Sequence, residues 1–293
     1  MMITRRNVLA GAIASTSLIS VDARAITDEA ALAAERRIDI AGFQRTRIKL
    51  IAKAACFAHA GVAPEKDFAI MARETAAVSD VFVSLRNGNP RLGLKRETHS
   101  KVLAALREAT ALWLPYSERA AAIAERGSLT EAELDYLIEK EPALFDAMDE
   151  AVGQIQQTYG SESLPLHLAV ATNLAGRQRS LGQEVAKDVC LIAIGYAPEE
   201  TRTKLVETMA LFENTHGALA QGMPMLGIRA PAQPALAQTY VEVGALWTAL
   251  KELAMPALDG EALDRERIVA VDMAAEDLTA ASDAAVKLYR GEN

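Results

Sequence analysis

Cysteine occurs only twice in the 293 residues, at Cys56 and Cys190, and aromatic side chains make up 5% of the chain. Two cysteines permit one disulfide and no more. Histidine is nearly as scarce. His59, His99, His167 and His216 have no second histidine or cysteine at metal-ligand spacing, so each reads as structural or solvated and no metal is expected. Alternating runs of β-branched residues are almost absent, which argues against a sheet protein. No serine–histidine–acid set, glycine-rich phosphate loop or pair of catalytic carboxylates is present, so the chain reads as no enzyme and as needing no cofactor. Basic residues are outnumbered, 31 against 39, which argues against nucleic acid or an anionic membrane surface as partner. Beyond residue 25 no apolar run approaches the roughly twenty residues that a membrane-crossing helix needs.

What is present begins with Thr4-Arg5-Arg6-Asn7-Val8-Leu9, an apolar stretch from Val8 to Val21, and the small-x-small site Ala23-Arg24-Ala25. Residues 1–25 thus have the form of a twin-arginine signal peptide. The expectation is a soluble, periplasmic mature chain with no lipid anchor and no membrane span. Without those residues, 28 basic stand against 38 acidic residues, a net charge near −10.

The rest is written twice. A gap-free shift of 134 places Gly42 on Gly176, Gln44-Arg45 on Gln178-Arg179, Ala52-Lys53 on Ala186-Lys187, and Cys56 on Cys190. It also places Ala63-Pro64-Glu65 on Ala197-Pro198-Glu199, and Ala111-Leu112-Trp113 on Ala245-Leu246-Trp247. Leu85, Gly88, Pro90, Leu92 and Gly93 meet Leu219, Gly222, Pro224, Leu226 and Gly227. Two copies of one unit follow, residues 26–160 and 161–293, so a face of the kind that joins a homodimer can close within one chain.

Alanine, leucine, glutamate and lysine dominate, so the fold class is all-α. Punctuation cuts each copy into four helices. In the first, helix one runs from about Glu29 to Ala60, stopped by Gly61. Helix two opens at Pro64 and ends at Gly88-Asn89-Pro90. Helix three covers about Glu97 to Arg126. Helix four opens on the capping box Thr130-Glu131-Ala132-Glu133, with Leu129 and Leu134 as the hydrophobic staple, and runs to Tyr159-Gly160. Setting Tyr289 opposite Tyr159 makes the connection before the last helix four residues shorter in the second copy. Short connections predict two tandem up-down four-helix bundles related by pseudo-twofold symmetry. Met223-Pro224-Met225 reads as a helix connection, because its equivalents Asn89 and Arg91 carry no thioether. Trp113 and Trp247 read as core.

Helix one of each copy carries a stripe at three-four spacing: Gly42, Arg45, Lys49, Ala52, Cys56, and Gly176, Arg179, Gln183, Ala186, Cys190. This is the pattern of a helix lying along a similar helix. Small residues bring the backbones close with Arg45 and Arg179 between them. Two guanidiniums about 6 Å apart repel by about 3 kcal/mol at an effective dielectric near 20. The stripe offers no carboxylate at Gly42, Lys49 or Ala52, and a small planar oxyanion fits two guanidinium forks. The plainer alternative places both arginines at a solvated rim, paired with Asp39, Glu35 or Glu184.

The run Asn173-Leu174-Ala175-Gly176-Arg177-Gln178-Arg179-Ser180-Leu181-Gly182-Gln183, followed by Ala186-Lys187, resembles the box N-L-A-G-R-Q-R-M-L-S-Q-R-M-A-K. That box opens the type IV pilus methyl-accepting chemotaxis transducer N-terminal (PilJ-type) sensor domain. It is similar also to the shorter box of the periplasmic domains of nitrate/nitrite sensor kinases. The resemblance implies a four-helix bundle and nitrate or nitrite held between two first helices by the arginine three residues after the glycine, here Arg179 and Arg45. Glu184 and Leu50 stand where the box has its third arginine. Phe43 stands in the first copy where Arg177 stands in the second, and Ile48 and Lys49 replace Ser-Gln. Arg47 and Lys49 are the residues available to compensate.

Cys56 and Cys190 follow the arginines by about three helical turns on the same face, so paired first helices set them opposite one another. Bridged or free is left open, because helix axes 8–10 Å apart often hold Cα atoms beyond bridging range. The expectation is a sensor binding a small anion, nitrate or nitrite. Arg45, Arg179 and Arg177 supply charge, Gly42 and Gly176 room, and Gln44 and Gln178 neutral hydrogen bonds. No output module follows, so the partner is a separate membrane sensor kinase or transporter. The rivals are a ligand-free scaffold and a Cys56/Cys190 thiol switch.

Overall fold

The computed structural model describes residues 29–162 and 165–290; the signal peptide expected at 1–25 lies outside them. The element order is α1 (Glu29–His59), α2 (Pro64–Asn87), α3 (Ser100–Arg126), α4 (Glu131–Glu162), α5 (Leu166–Ala193), α6 (Pro198–Gln221), α7 (Pro234–Leu258) and α8 (Arg265–Tyr289). Among the described residues the only β pairing is two isolated bridges, Asn89 with Leu94 and Met223 with Ile228. The protein is an all-α helical bundle. Helices α1 to α4 pack in a closed ring, α5 to α8 pack likewise, and α1 lies along α5.

Local chemistry explains the breaks. Gly61 and Gly195 end the first helix of each half at positive φ, and Pro64 and Pro198 then sit at the first turn of the next, where no N–H is needed. Gly88 and Gly222 take φ 83° with ψ near 150°, a backbone region essentially closed to side chains. A Cβ at either would lie 2.7 Å from a backbone nitrogen, that of Arg96 or of Ala230. The capping box on α4 is made: Glu133 N–H donates to Thr130 Oγ1 and Thr130 N–H to Glu133 Oε2.

The expected shorter connection in the second half is not found. Residues 127–130 link α3 to α4 and residues 259–264 link α7 to α8. Asp264 caps α8 by accepting from Arg267 N–H, the place that Thr130 holds on α4. The shift of 134 therefore continues into the last helix. Tyr159 and Tyr289 are not equivalent: Tyr159 bonds Glu97, whereas Tyr289 accepts from Tyr240. A cap, set by backbone geometry, is a firmer register mark than one aromatic residue.

Helix α1 is enclosed on nearly every side, because it serves its own bundle and the seam with α5 at once. Its inner face, including Ile38, Ile48 and Ile51, joins a core reaching Trp113, Leu137, Met148 and Ile155. In the second half the apolar core falls into two clusters, one around Val185, Phe212 and Trp247 and one around Ala175, Leu219 and Tyr240. In sequence, Gln178 and Arg179 lie between the α5 members of the two clusters. Trp113 and Trp247 are core residues in both halves.

Candidate functional site

The seam is polar in tiers along α1 and α5. In the first tier Arg45 and Arg179 are each 1% exposed. Both bend back on their own helix, Arg45 Nε donating to Gly42 O at 3.3 Å and Arg179 Nε to Gly176 O at 3.4 Å. A Cβ on Gly176 would lie 3.2 Å from Arg179 Nη2 and 3.7 Å from Arg45 Nη2. The two guanidiniums thus converge on one glycine, where a side chain would crowd Arg179 and touch Arg45.

Each arginine then hydrogen-bonds one residue across the seam and one inside its own half. Arg45 Nη2 donates to Asn173 Oδ1 at 2.8 Å and to the Asn173 carbonyl at 3.2 Å. Arg179 Nη2 donates to Asp39 Oδ1 at 2.8 Å. Asp39 and Asn173 are themselves equivalents under the shift of 134. Within the halves, Arg45 Nη1 donates to Asp149 Oδ1 on α4 at 2.5 Å and Arg179 Nη1 to Asp283 Oδ1 on α8 at 2.6 Å.

The stripe itself offers no carboxylate at Gly42, Lys49 or Ala52, yet the guanidiniums are met by carboxylates from outside it. The fourth helix of each half and Asp39 supply three, which a survey of the seam stripe alone could not find. The plainer alternative named Asp39, and Asp39 does pair with Arg179, but in a buried layer rather than at a rim. Arg177 reaches the second oxygen of Asp149 at 3.5 Å, and Arg290 that of Asp39 at 2.8 Å. Four guanidiniums share three carboxylates. Burial pushes Arg45 down to about 10, partly offset by Asp149 and deepened by Arg177 and Arg179. Burial acts to raise Asp283, but Arg179 and Lys287 outweigh it and hold that carboxyl below its usual range.

Gln44 and Gln178 are not brought to the arginines. Gln44 Nε2 donates to Ile40 O on its own helix, and Gln178 Nε2 donates to Thr215 Oγ1 and Phe212 O on α6. Phe43 presents its ring to the guanidinium carbon of Arg179, 4.7 Å from the centroid, a favourable cation–ring contact. Arg47 pairs with Glu74 at 3.3 Å instead of joining the tier.

The second tier holds ammonium groups. Lys49 pairs with Glu141 and Glu184, each at 2.6 Å, and Lys187 with the same two acids at 2.8 and 2.9 Å. Lys53 reaches across to Asp272 on α8. Burial and the neighbouring Glu184 push the Asp188 carboxyl well above its usual range. A cavity of about 730 Å³ opens beside this tier between α4, α5 and α6, with Arg177, Glu184, Lys187 and Asp188 in its wall. In the last tier Cys56 and Cys190 are joined in a disulfide, Cα atoms 6.3 Å apart. Among the described residues no group of three or more His, Cys, Asp or Glu is placed to hold a metal ion, and no helix is long and apolar enough to cross a membrane.

No curated protein and no solved structure matches the chain. Residues 166–278 match the family model described as type IV pili methyl-accepting chemotaxis transducer N-term (PilJ). The match takes in α5, with Gly176, Arg177, Arg179 and Cys190, and continues through α6, α7 and most of α8. Residues 166–278, less than half of the chain, are thus similar to that transducer N-terminal family.

Proposed function

We propose that this protein is a periplasmic sensor that binds one small monovalent oxyanion, nitrate or nitrite, between α1 and α5 and signals to a separate membrane partner. The family match supports a sensory, signalling role in the manner of a chemotaxis transducer. One observation carries the anion: two buried guanidiniums from the two sequence copies converge on Gly176 in a layer of four guanidiniums and three carboxylates. A trigonal oxyanion presents the paired oxygens that guanidinium forks accept. The protein acts by binding rather than by catalysis, and binding counts as a signal only insofar as it favours one packing of the helices over another.

The disulfide reads as a staple of the two halves rather than a switch, because Cys56 and Cys190 are both fully buried and shielded from soluble thiols. A thermal-shift series with nitrate, nitrite, chloride and sulfate tests the proposal. At a hundredfold excess over Kd the preferred anion should raise Tm by roughly 5 °C or more, and Arg179→Ala should remove the shift. Equal responses to all four salts in both proteins would count against a specific site.

A further inference from the structure

Asp149 and Asp283 are placed alike in ways that ion pairing alone does not require. Each lies on the fourth helix of its half, 104 residues after the arginine it contacts. The arginines are 1% exposed, whereas the Asp149 and Asp283 side chains are 31% and 30% exposed. Each carboxylate also has a second, more exposed cation on its outer side, Arg177 for Asp149 at 3.5 Å and Lys287 for Asp283 at 3.0 Å. Asp39 differs: it is 11% exposed and held by Arg179 and Arg290 together. Two carboxylates therefore stand between an inner and an outer cation with a way out to water, and the third does not.

We infer that Asp149 and Asp283 are internal stand-ins for the ligand, occupying the Nη1 edges of Arg45 and Arg179 until an oxyanion replaces them. This rests on the anion reading above and names how that site is regulated. On arrival of the anion, each displaced carboxylate swings to its outer cation, Arg177 or Lys287, and keeps an ion pair there. The contacts that tie α4 to α1 and α8 to α5 at this level are thereby released. Asp39 and Asn173 remain in place as the fixed walls of the site. The signal is a loosening of two fourth helices, and α4 is followed in the chain by α5, the helix that carries Arg179.

Removing an acid next to the ligand should strengthen binding, because a competitor for the fork is gone. Nitrate calorimetry on the wild type, Asp149→Asn, Asp283→Asn and Arg179→Ala tests it, and Asn preserves the volume of Asp so that folding can be checked by circular dichroism. If the forks are closed about nine-tenths of the time, each Asn variant should bind about tenfold tighter. Nitrate should also speed amide exchange around residues 149 and 283 in the wild type, and much less in the Asn variants, where those segments are already released. Wild-type binding abolished by Arg179→Ala but unchanged or weakened by the Asn substitutions overturns the stand-in role and leaves the anion site intact. Binding seen only in the Asn variants supports the stand-in role, and absence of binding in all four overturns both readings.

Discussion

Lys49 and Glu184 both depart from the box, the first standing where it has glutamine and the second where it has arginine. They meet across the seam at 2.6 Å. Read one copy at a time, each looks like decay; read together, the two changes compensate and favour pairing of unlike copies. That relation was not legible in either box alone. Asp67 offers a test at this scale. Burial pushes its carboxyl up to about 6, with Asp272 adding to the rise against Lys53 and Lys66. The folded value lies above the unfolded one, so the folded chain keeps a proton that the unfolded chain releases. Stability is therefore lost as pH climbs from about 4 to about 6 and is level above that. Asp67→Asn should match or trail the wild type at pH 4 and exceed it by about 1–2 kcal/mol at pH 7.5. Urea unfolding at both pH values checks this, and a gap that does not change with pH contradicts it.

At the scale of the element, the helix boundaries were readable because caps and breakers act locally. Thr130 with Glu133, Gly61 with Pro64, and Gly88 before Pro90 each set a boundary through their own backbone demands. The register of α8 was misread where one tyrosine outweighed the cap at Asp264. The acids on α4 and α8 were missed for a different reason. Nothing in a helix's own pattern tells which of its exposed-looking acids a buried arginine on another helix will claim. Among the acids of α4, Asp149 alone has an acid, Asp283, at the equivalent position 134 residues on, which is the one signal in the sequence that marks the pair. Among the turns, Gly222 and Gly195 both have positive φ, but only Gly222 has backbone within 4 Å of where a Cβ would sit. Gly222→Ala should cost about 2–3 kcal/mol, against about 1 kcal/mol for Gly195→Ala. Equal losses in thermal unfolding would show that the tight Met223–Ile228 turn is not what requires the glycine.

For the whole molecule, the duplication stated the main fact in advance: two similar first helices lie together in one chain. Sequence spacing set Cys56 against Cys190, and only the separation of the two backbones decides that they bridge. Closing a loop of 134 residues stabilises by about 5 kcal/mol in the chain-entropy model. Reducing agent, or the double substitution Cys56→Ala and Cys190→Ala, should therefore lower the urea midpoint markedly. An unchanged midpoint would mean that the tiers of ion pairs hold the halves together without the staple. The arginine layer depends on both halves at once, since Arg45 bonds Asn173 and Arg179 bonds Asp39 across the seam. Nitrate calorimetry on the disulfide-intact chain, beside Arg45→Ala and Arg179→Ala, tests that shared layer most directly. A single nitrate per chain, lost on removing either arginine, is the expected result; two independent sites, or binding that survives loss of one arginine, would contradict it.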